Sequence, residues 1–233
     1  EKTDKLPSIP RSLKNAGYSL EYYYGGDADF TNMRSYLVSS GIEKIISDKD
    51  FPLSERTGKW GAQDHVLFQR LMKDLKEEKQ KEPFLKLVQT SSSHEPFEVP
   101  FHRLDDKILN SFAYADSCVG DFVKQYQETP LWKNTLFVLV PDHQGAYPYP
   151  IENPLDGQTI PLILIGGAIK QPLVVDTYAS QIDIAATLLA QLGLPHDEFT
   201  FSKNILNPGS PHFAYFTRPN YFGMITADNQ IGI

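Results

Sequence analysis

Cysteine is almost absent from these 233 residues. Cys118 stands alone, which excludes an intrachain disulfide and any zinc site built on several thiolates. Long apolar runs are missing too. No stretch approaches the roughly 18 residues a membrane-spanning helix needs. The first residues, "EKTDKLPSIP", are polar and interrupted by prolines, unlike a secretory leader. Basic residues are in deficit, 22 against 29 acidic, for a net charge of -7. That balance argues against a nucleic-acid partner, whose binders carry a basic surface. The chain contains no G-x-S-x-G elbow, P-loop or dinucleotide fingerprint; "YGGDADF" is Gly-rich but has none of these spacings. Internal repeats and low-complexity tracts are also lacking.

What is present suffices for a packed core. Hydrophobic residues make up 41% and charged residues 22%, outside the range of disordered chains. The pattern alternates between strand-like and helix-like stretches. "YSLEYYY" (18–24) reads as a strand closed by two glycines. "DFTNMRSYLVSSG" (29–41) reads as a short helix with Asp29 as its cap and Gly41 as its stop. "IEKII" (42–46) is a short strand. "AQDHVLFQRLMKDLKEEKQ" (62–80) has the apolar spacing of an amphipathic helix, and "LDDKILNSFAYADSCVGDFVKQYQ" (104–127) that of a longer one. "PFLKLVQT" (83–90), "LFVLV" (136–140) and "IPLILIG" (160–166) are strands, the last two buried. "YASQIDIAATLLAQLG" (178–193) is a helix ended by Gly193. "HFAYFTR" (212–218) and "YFGMITAD" (221–228) form a closing antiparallel pair, and the Pro-rich stretch 147–161 is a surface loop. This order predicts an α/β fold, with a mostly parallel sheet and helices on both faces.

In such sheets, ligands bind beyond the carboxyl ends of the strands. Two strands run into polar clusters: 84–90 into "SSSHEPFEVP" and 136–140 into "PDHQG". Parallel strands would put both clusters on one rim. Asp142 and His143 offer a hard carboxylate and an imidazole, donors that suit a divalent metal. The same two residues also read as a turn-capping Asp beside an incidental His. His94 reads as a contact for an anionic substrate or a proton donor to a leaving group. It reads equally as a surface His in a loop pinned by Pro96 and Pro100. Arg34 fits a phosphate or sulfate, or solvent. Asp64 reads as a charge partner for its helix N-terminus. Asp116 and Asp183 read as helix residues bonded to loops. His102, His196 and His212 have no acidic or thiol partner at ligand spacing.

The blocks "LPSIPRSLKNAGYSLEYYYGG", "KWGAQDHVLF", "PFLKLVQTSSSHEPFEVP", "WKNTLFVLVPDHQG", "IPLILIGG" and "SQIDIAATLLAQLGL" occur in this order and at spacings that fit one known group. The chain resembles the lipoteichoic acid synthase-like phosphoglycerol transferases of the alkaline phosphatase and sulfatase superfamily. The resemblance implies residues 1–233 to be the C-terminal part of a single sulfatase-like catalytic domain, incomplete at its N-terminal side. It implies that Asp142 and His143 hold a catalytic divalent metal, manganese first, with magnesium, zinc or calcium as alternatives. It implies that His94 meets a headgroup, with Arg34 as a second substrate contact. The substrate class is a lipid headgroup or another phosphate or sulfate ester. The family's threonine nucleophile and a further acidic ligand lie upstream of the matching blocks, so both are expected outside this chain. An extracytoplasmic location, anchored in the bacterial inner membrane, is implied as well. The chain departs from the family at Tyr24, where a His is frequent, and at Thr31 and Met33, where a Trp and an Arg are frequent. "DHQG" replaces the commoner "DHG" or "DHYG". These departures leave a sulfatase or another headgroup transferase open, and beside them a sulfatase-fold binding domain without catalysis.

Overall fold

The structure is a computed structural model. It describes residues 5–145, 147, 157–218, 220–228 and 231–232. The expected loop at 147–161 lies largely outside them. The chain divides into two compact units, Glu1–Tyr126 and Gln127–Ile233.

The first unit is built on a parallel sheet of order β2-β1-β3, formed by β1 (Ser19–Tyr24), β2 (Lys44–Ile46) and β3 (Phe84–Gln89). β1 is the central strand, so it buries both faces. Its side chains alternate. Tyr22 points to one face, where its hydroxyl meets the sulfur of Met33, the first residue of α2 (Met33–Ser39). Tyr23 points to the other, where its hydroxyl donates to Asp74 of α3 (Asp64–Glu77). Helices therefore cover both faces, as the sequence pattern predicts. α3 supplies the apolar stripe Leu67, Phe68, Leu71, Met72 and Leu75, all buried. α1 (Ile9–Asn15) starts at Ser8, whose hydroxyl accepts the Arg11 N–H, with Pro10 in the first turn. α4 (Lys107–Gln127) lays Phe122 on Phe68, ring centroids 5.1 Å apart.

One local expectation is corrected here. Asp29 does not cap the helix that follows it. Thr31 and Asn32 take left-handed backbone angles, φ 53° and 61°, and break the helical path. α2 begins only at Met33. The Asp29 carboxylate instead accepts from Arg34 Nε at 2.7 Å and Lys49 Nζ at 2.9 Å.

The second unit opens with β4 (Phe137–Leu139) and β5 (Ile163–Ile165). These pair with each other, and they do so antiparallel. Both are shorter and less buried than the runs 136–140 and 160–166 suggest; Ile163 is 48% exposed and Val140 39%. Among the described residues each has only the other as ladder partner. Gly166 follows β5 at φ 140°, and a Cβ there would fall 2.1 Å from the Thr135 carbonyl oxygen. Only glycine permits that approach. α5 (Asp183–Gln191) buries Ala185, Ala186 and Leu189, and Gly193 ends its C-terminal turn at φ 67°. Asp183 anchors the helix to loops: its carboxylate accepts from the Ser180 and Lys203 N–H groups and from Lys203 Nζ at 2.6 Å. The closing sheet joins β6 (Phe213–Arg218), β7 (Tyr221–Thr226) and β8 (Ile231–Gly232) antiparallel. There Phe216 lies over Gly223, its register partner, where a Cβ would meet the ring at 2.3 Å.

Candidate functional site

In the second unit, β4 ends at Leu139 and the chain turns at Pro141. Asp142 and His143 follow at once, with side chains 89% and 72% exposed. Consecutive residues in a strand would diverge; beyond the strand end these two converge. The His143 N–H donates to Asp142 Oδ1 at 2.9 Å, and His143 Nε2 lies 3.5 Å from Asp142 Oδ2. His143 Nδ1 bonds the Gln144 carbonyl at 3.0 Å; a carbonyl only accepts, so Nδ1 is the donor. Gln181 closes the turn from the other side. Its Nε2 donates to the carbonyls of Pro141 and Asp142, both at 2.8 Å. A carboxylate oxygen and an imidazole nitrogen thus sit side by side. That donor set fits two ligands of a divalent ion. Among the described residues no third acidic, His or Cys side chain joins them.

His94 and Arg34 belong to the first unit. β3 delivers the loop that carries His94, and a buried carboxylate shapes that loop. Asp64, fully buried at the start of α3, accepts the Ser91 N–H at 2.9 Å and the Ser92 N–H at 3.2 Å. In return the Ser92 hydroxyl accepts the Asp64 N–H and donates to Gln63 Oε1, at 2.9 and 2.8 Å. Gln63 Nε2 donates onward to the Glu98 carbonyl at 3.0 Å. Burial pushes the Asp64 carboxyl up, against the lowering effect of these N–H donors. Asp64 is the acidic residue of the first turn of α3, as expected, and it also organises the 91–98 loop. The Ser92 hydroxyl is committed to this scaffold.

His94 itself is exposed. Its ring meets Trp60 edge-on, centroids 4.8 Å apart at 70°. Trp60 in turn meets Phe30 at 5.9 Å. A small pocket opens here between Trp60, Gln63, Ser92, His94 and Glu98. Arg34 is partly exposed but not idle. Nε donates to Asp29 and Nη2 to the Ser47 hydroxyl, at 2.7 and 3.3 Å. The Gly25-Gly26 turn after β1 has a structural use. Cβ atoms at Gly25 and Gly61 would fall 2.2 and 2.1 Å from backbone oxygens of the opposing loop, so the two loops meet backbone to backbone. Trp60 rides on that contact. Sequence reasoning passes over Trp60, which lies in a glycine-flanked turn with no periodic pattern. It also passes over the His102–Asp105 pair, 3.8 Å apart and well exposed. Cys118 is buried with its thiol pushed up to about 11 by desolvation, which makes it an inert core residue.

Comparison with known proteins defines the class. The sulfatase family profile matches residues 1–194, and the chain belongs to the sulfatase family. Lipoteichoic acid synthase 2 of Bacillus subtilis (strain 168) is 24% identical over 84% of this chain and 34% of its own length. Phosphoglycerol transferase I of Xanthomonas campestris pv. campestris (strain B100) is 25% identical over 85% of this chain and 31% of its own. The chain spans about a third of the length of these curated relatives. A crystal structure of a protein in the alkaline phosphatase superfamily from Vibrio parahaemolyticus superposes with a TM-score of 0.86 at 28% identity, covering 97% of this chain and 58% of the other. The α/β fold expected from the sequence is that of this superfamily, whose members generally use divalent metals.

Proposed function

We propose that this chain supplies the metal-binding turn and the headgroup-binding loop of an enzyme. That enzyme would transfer, or hydrolyse, a phosphoglycerol or other phosphate- or sulfate-ester headgroup. The observation that carries the proposal is the convergence of Asp142 and His143 just past β4, in a chain of the sulfatase family. Asp142 and His143 would hold the divalent ion, manganese first. Bound there, such an ion lowers the pKa of a coordinated oxygen nucleophile and neutralises charge on the transferred group. The nucleophile and the remaining ligands would come from sequence outside these 233 residues, in one catalytic domain of which this is the C-terminal part. Covalent catalysis then follows in two displacements: the nucleophile oxygen bonds to phosphorus or sulfur as the ester oxygen leaves, and an acceptor hydroxyl or water reverses the exchange. His94 would hold the headgroup and, when protonated at Nε2, pass that proton to the leaving oxygen. Arg34, bonded to Asp29 and Ser47, would face the same substrate from the α2 side with an orientation already set. The family resemblance supports a site of action outside the cytoplasm, on a membrane-anchored protein. No helix among the described residues is long and apolar enough to cross a membrane. The alternative reading is a sulfatase-fold binding domain without turnover.

The test is metal analysis and kinetics on the protein in its full-length form, with a phosphodiester, a phosphomonoester and a sulfate ester as substrates. Asp142→Ala should lose both metal and turnover. His94→Ala should impair turnover and keep its metal. Equal metal loss in both variants would make His94 a ligand. Metal-dependent turnover that survives Asp142→Ala would end the proposal, and absence of turnover on every ester would favour the binding domain.

A further inference from the structure

The Glu95 carbonyl oxygen takes two donors at once. Trp60 Nε1–H reaches it at 2.8 Å, and His94 Nδ1 lies 3.1 Å away. A carbonyl oxygen has two lone pairs and no proton, so both nitrogens must be N–H donors. His94 Nδ1 is therefore protonated in the neutral ring, and Nε2 carries the lone pair. The ring's second constraint is the edge-on indole at 4.8 Å, which blocks free rotation about χ2. Trp60 is itself held. Its turn closes on a Gly58–Gly61 bridge, and Gly61 is pressed against Gly25 where no Cβ fits. Phe30 touches the indole at 5.9 Å, and Lys59 Nζ stands 5.3 Å over it. This is an elaborate support for a half-exposed Trp that adds little to the core. Its N–H and its edge both act on one exposed histidine.

We propose that Trp60 is a positioning residue for His94. Through the shared Glu95 carbonyl and the ring contact it fixes the tautomer and the orientation that leave Nε2 facing the substrate, where it accepts a proton from a hydroxyl and, once protonated, donates it to a leaving oxygen. The inference rests on the reading of His94 as a substrate contact. The chemistry explains why such support is needed. If the ring flipped about χ2, Cε1–H would take the place of Nε2 and Nδ1–H would leave the Glu95 carbonyl, and proton transfer through Nε2 would stop. An exposed imidazole without support samples both orientations. Orienting partners of this kind are typically worth ten- to a hundredfold in function.

Two measurements test it. The first is the nitrogen-15 chemical shifts of His94 in the neutral ring, which report the tautomer without any need for turnover. The wild-type protein should show Nδ1–H, and Trp60→Ala a mixture. A dominant Nε2–H form in the wild type, or an unchanged tautomer in Trp60→Ala, would overturn the proposal. The second is a double-mutant cycle of Trp60 and His94, read as kcat on a phosphodiester. Trp60→Ala should cost about tenfold with His94 present and less than about twofold with His94→Ala already in place. Trp60→Phe, which keeps a ring but not the N–H, should fall between wild type and Trp60→Ala and guards against misfolding. Equal cost in both backgrounds would make Trp60 a structural residue only. Wild-type turnover in His94→Ala would remove the reading of His94 itself, a different failure that the tautomer measurement leaves untouched.

Discussion

Lys86 and Glu21 face each other across β3 and β1, in register, with Nζ 2.6 Å from Oε2 and both side chains largely buried. Glu21 also has Lys44 as its register partner on β2 and receives the Tyr23 hydroxyl at 2.7 Å. A row of alternating charge thus runs across the sheet, under α3, where an apolar row would be ordinary. A buried pair of this kind adds little net stability when intact, but removal of one partner strands the other.

Lys86→Met should therefore destabilise the protein by about 3 kcal/mol, read as a shift in urea unfolding at pH 7. Glu21→Leu with Lys86→Met should cost much less, since no charge is left stranded.

The same pair sets an acid limb. Burial pushes the Glu21 carboxyl up, but bonds from Lys86 and Tyr23 outweigh it and hold the carboxyl below the usual glutamate range. A depressed folded value means that the contribution is present above the unfolded value and is lost as pH falls through the folded one. Unfolding between pH 7 and pH 3 should show this loss in the wild type and a shallower one in Lys86→Met. Identical acid limbs would contradict the assignment.

Asp64 should act with the opposite sign. Burial raises its carboxyl, so the folded protein holds that proton more tightly than the unfolded chain. Its contribution shrinks as pH rises from the unfolded value of 3.8 through the raised folded one, and is then level. Asp64→Asn should remove that dependence at a modest cost in stability. Asp64→Ala, which leaves the Ser91 and Ser92 N–H groups without their acceptor, should cost about 3 kcal/mol. Circular-dichroism melts of the three proteins across pH 3 to 7 check both statements.

These carboxylates mark where sequence reading stops. Strong periodicity was sufficient for β1, α3, β3, α4 and α5, because each has a face that must be buried. The turn that carries Asp142 and His143 is legible for a similar reason: it follows an apolar run that has to end. Asp64 looks, in sequence, like any acid at a helix start; its burial depends on Ser91 and Ser92, some twenty-seven residues away. Asp29 was misread as a cap because the left-handed angles at Thr31 and Asn32 leave no mark in residue type. The antiparallel pairing of β4 with β5 is a long-range choice that neither apolar run encodes by itself. Trp60 sits in a turn where no period exists to be read.

The chain by itself should bind manganese weakly. Two donors fall short of the three protein ligands usual at a catalytic metal, and no third joins them among the described residues. Titration followed by electron paramagnetic resonance should show an incomplete site, removed by Asp142→Ala or His143→Ala. The same chain should be silent on phosphate and sulfate esters. Metal-dependent turnover that vanishes in Asp142→Ala would show that these 233 residues carry their own nucleophile.

Gln181 offers the sharpest check on the proposed metal turn, because it is not one of the two proposed ligands. Its Nε2 ties down the carbonyls of Pro141 and Asp142, both at 2.8 Å, and so sets the backbone from which the carboxylate projects. Gln181 is exposed and precedes α5, so its loss should leave the core intact. Without it the turn gains freedom, and that freedom must be given up again when both donors engage one ion. Gln181→Ala should accordingly weaken manganese binding about tenfold in the full-length protein, while the unfolding midpoint without metal moves little. Gln181→Glu should be worse than Gln181→Ala, since a carboxylate cannot donate to either carbonyl and adds repulsion beside them. Unchanged affinity in both variants would mean that the turn holds its shape without Gln181. A large drop in the metal-free midpoint would mean that the residue serves the fold and not the site.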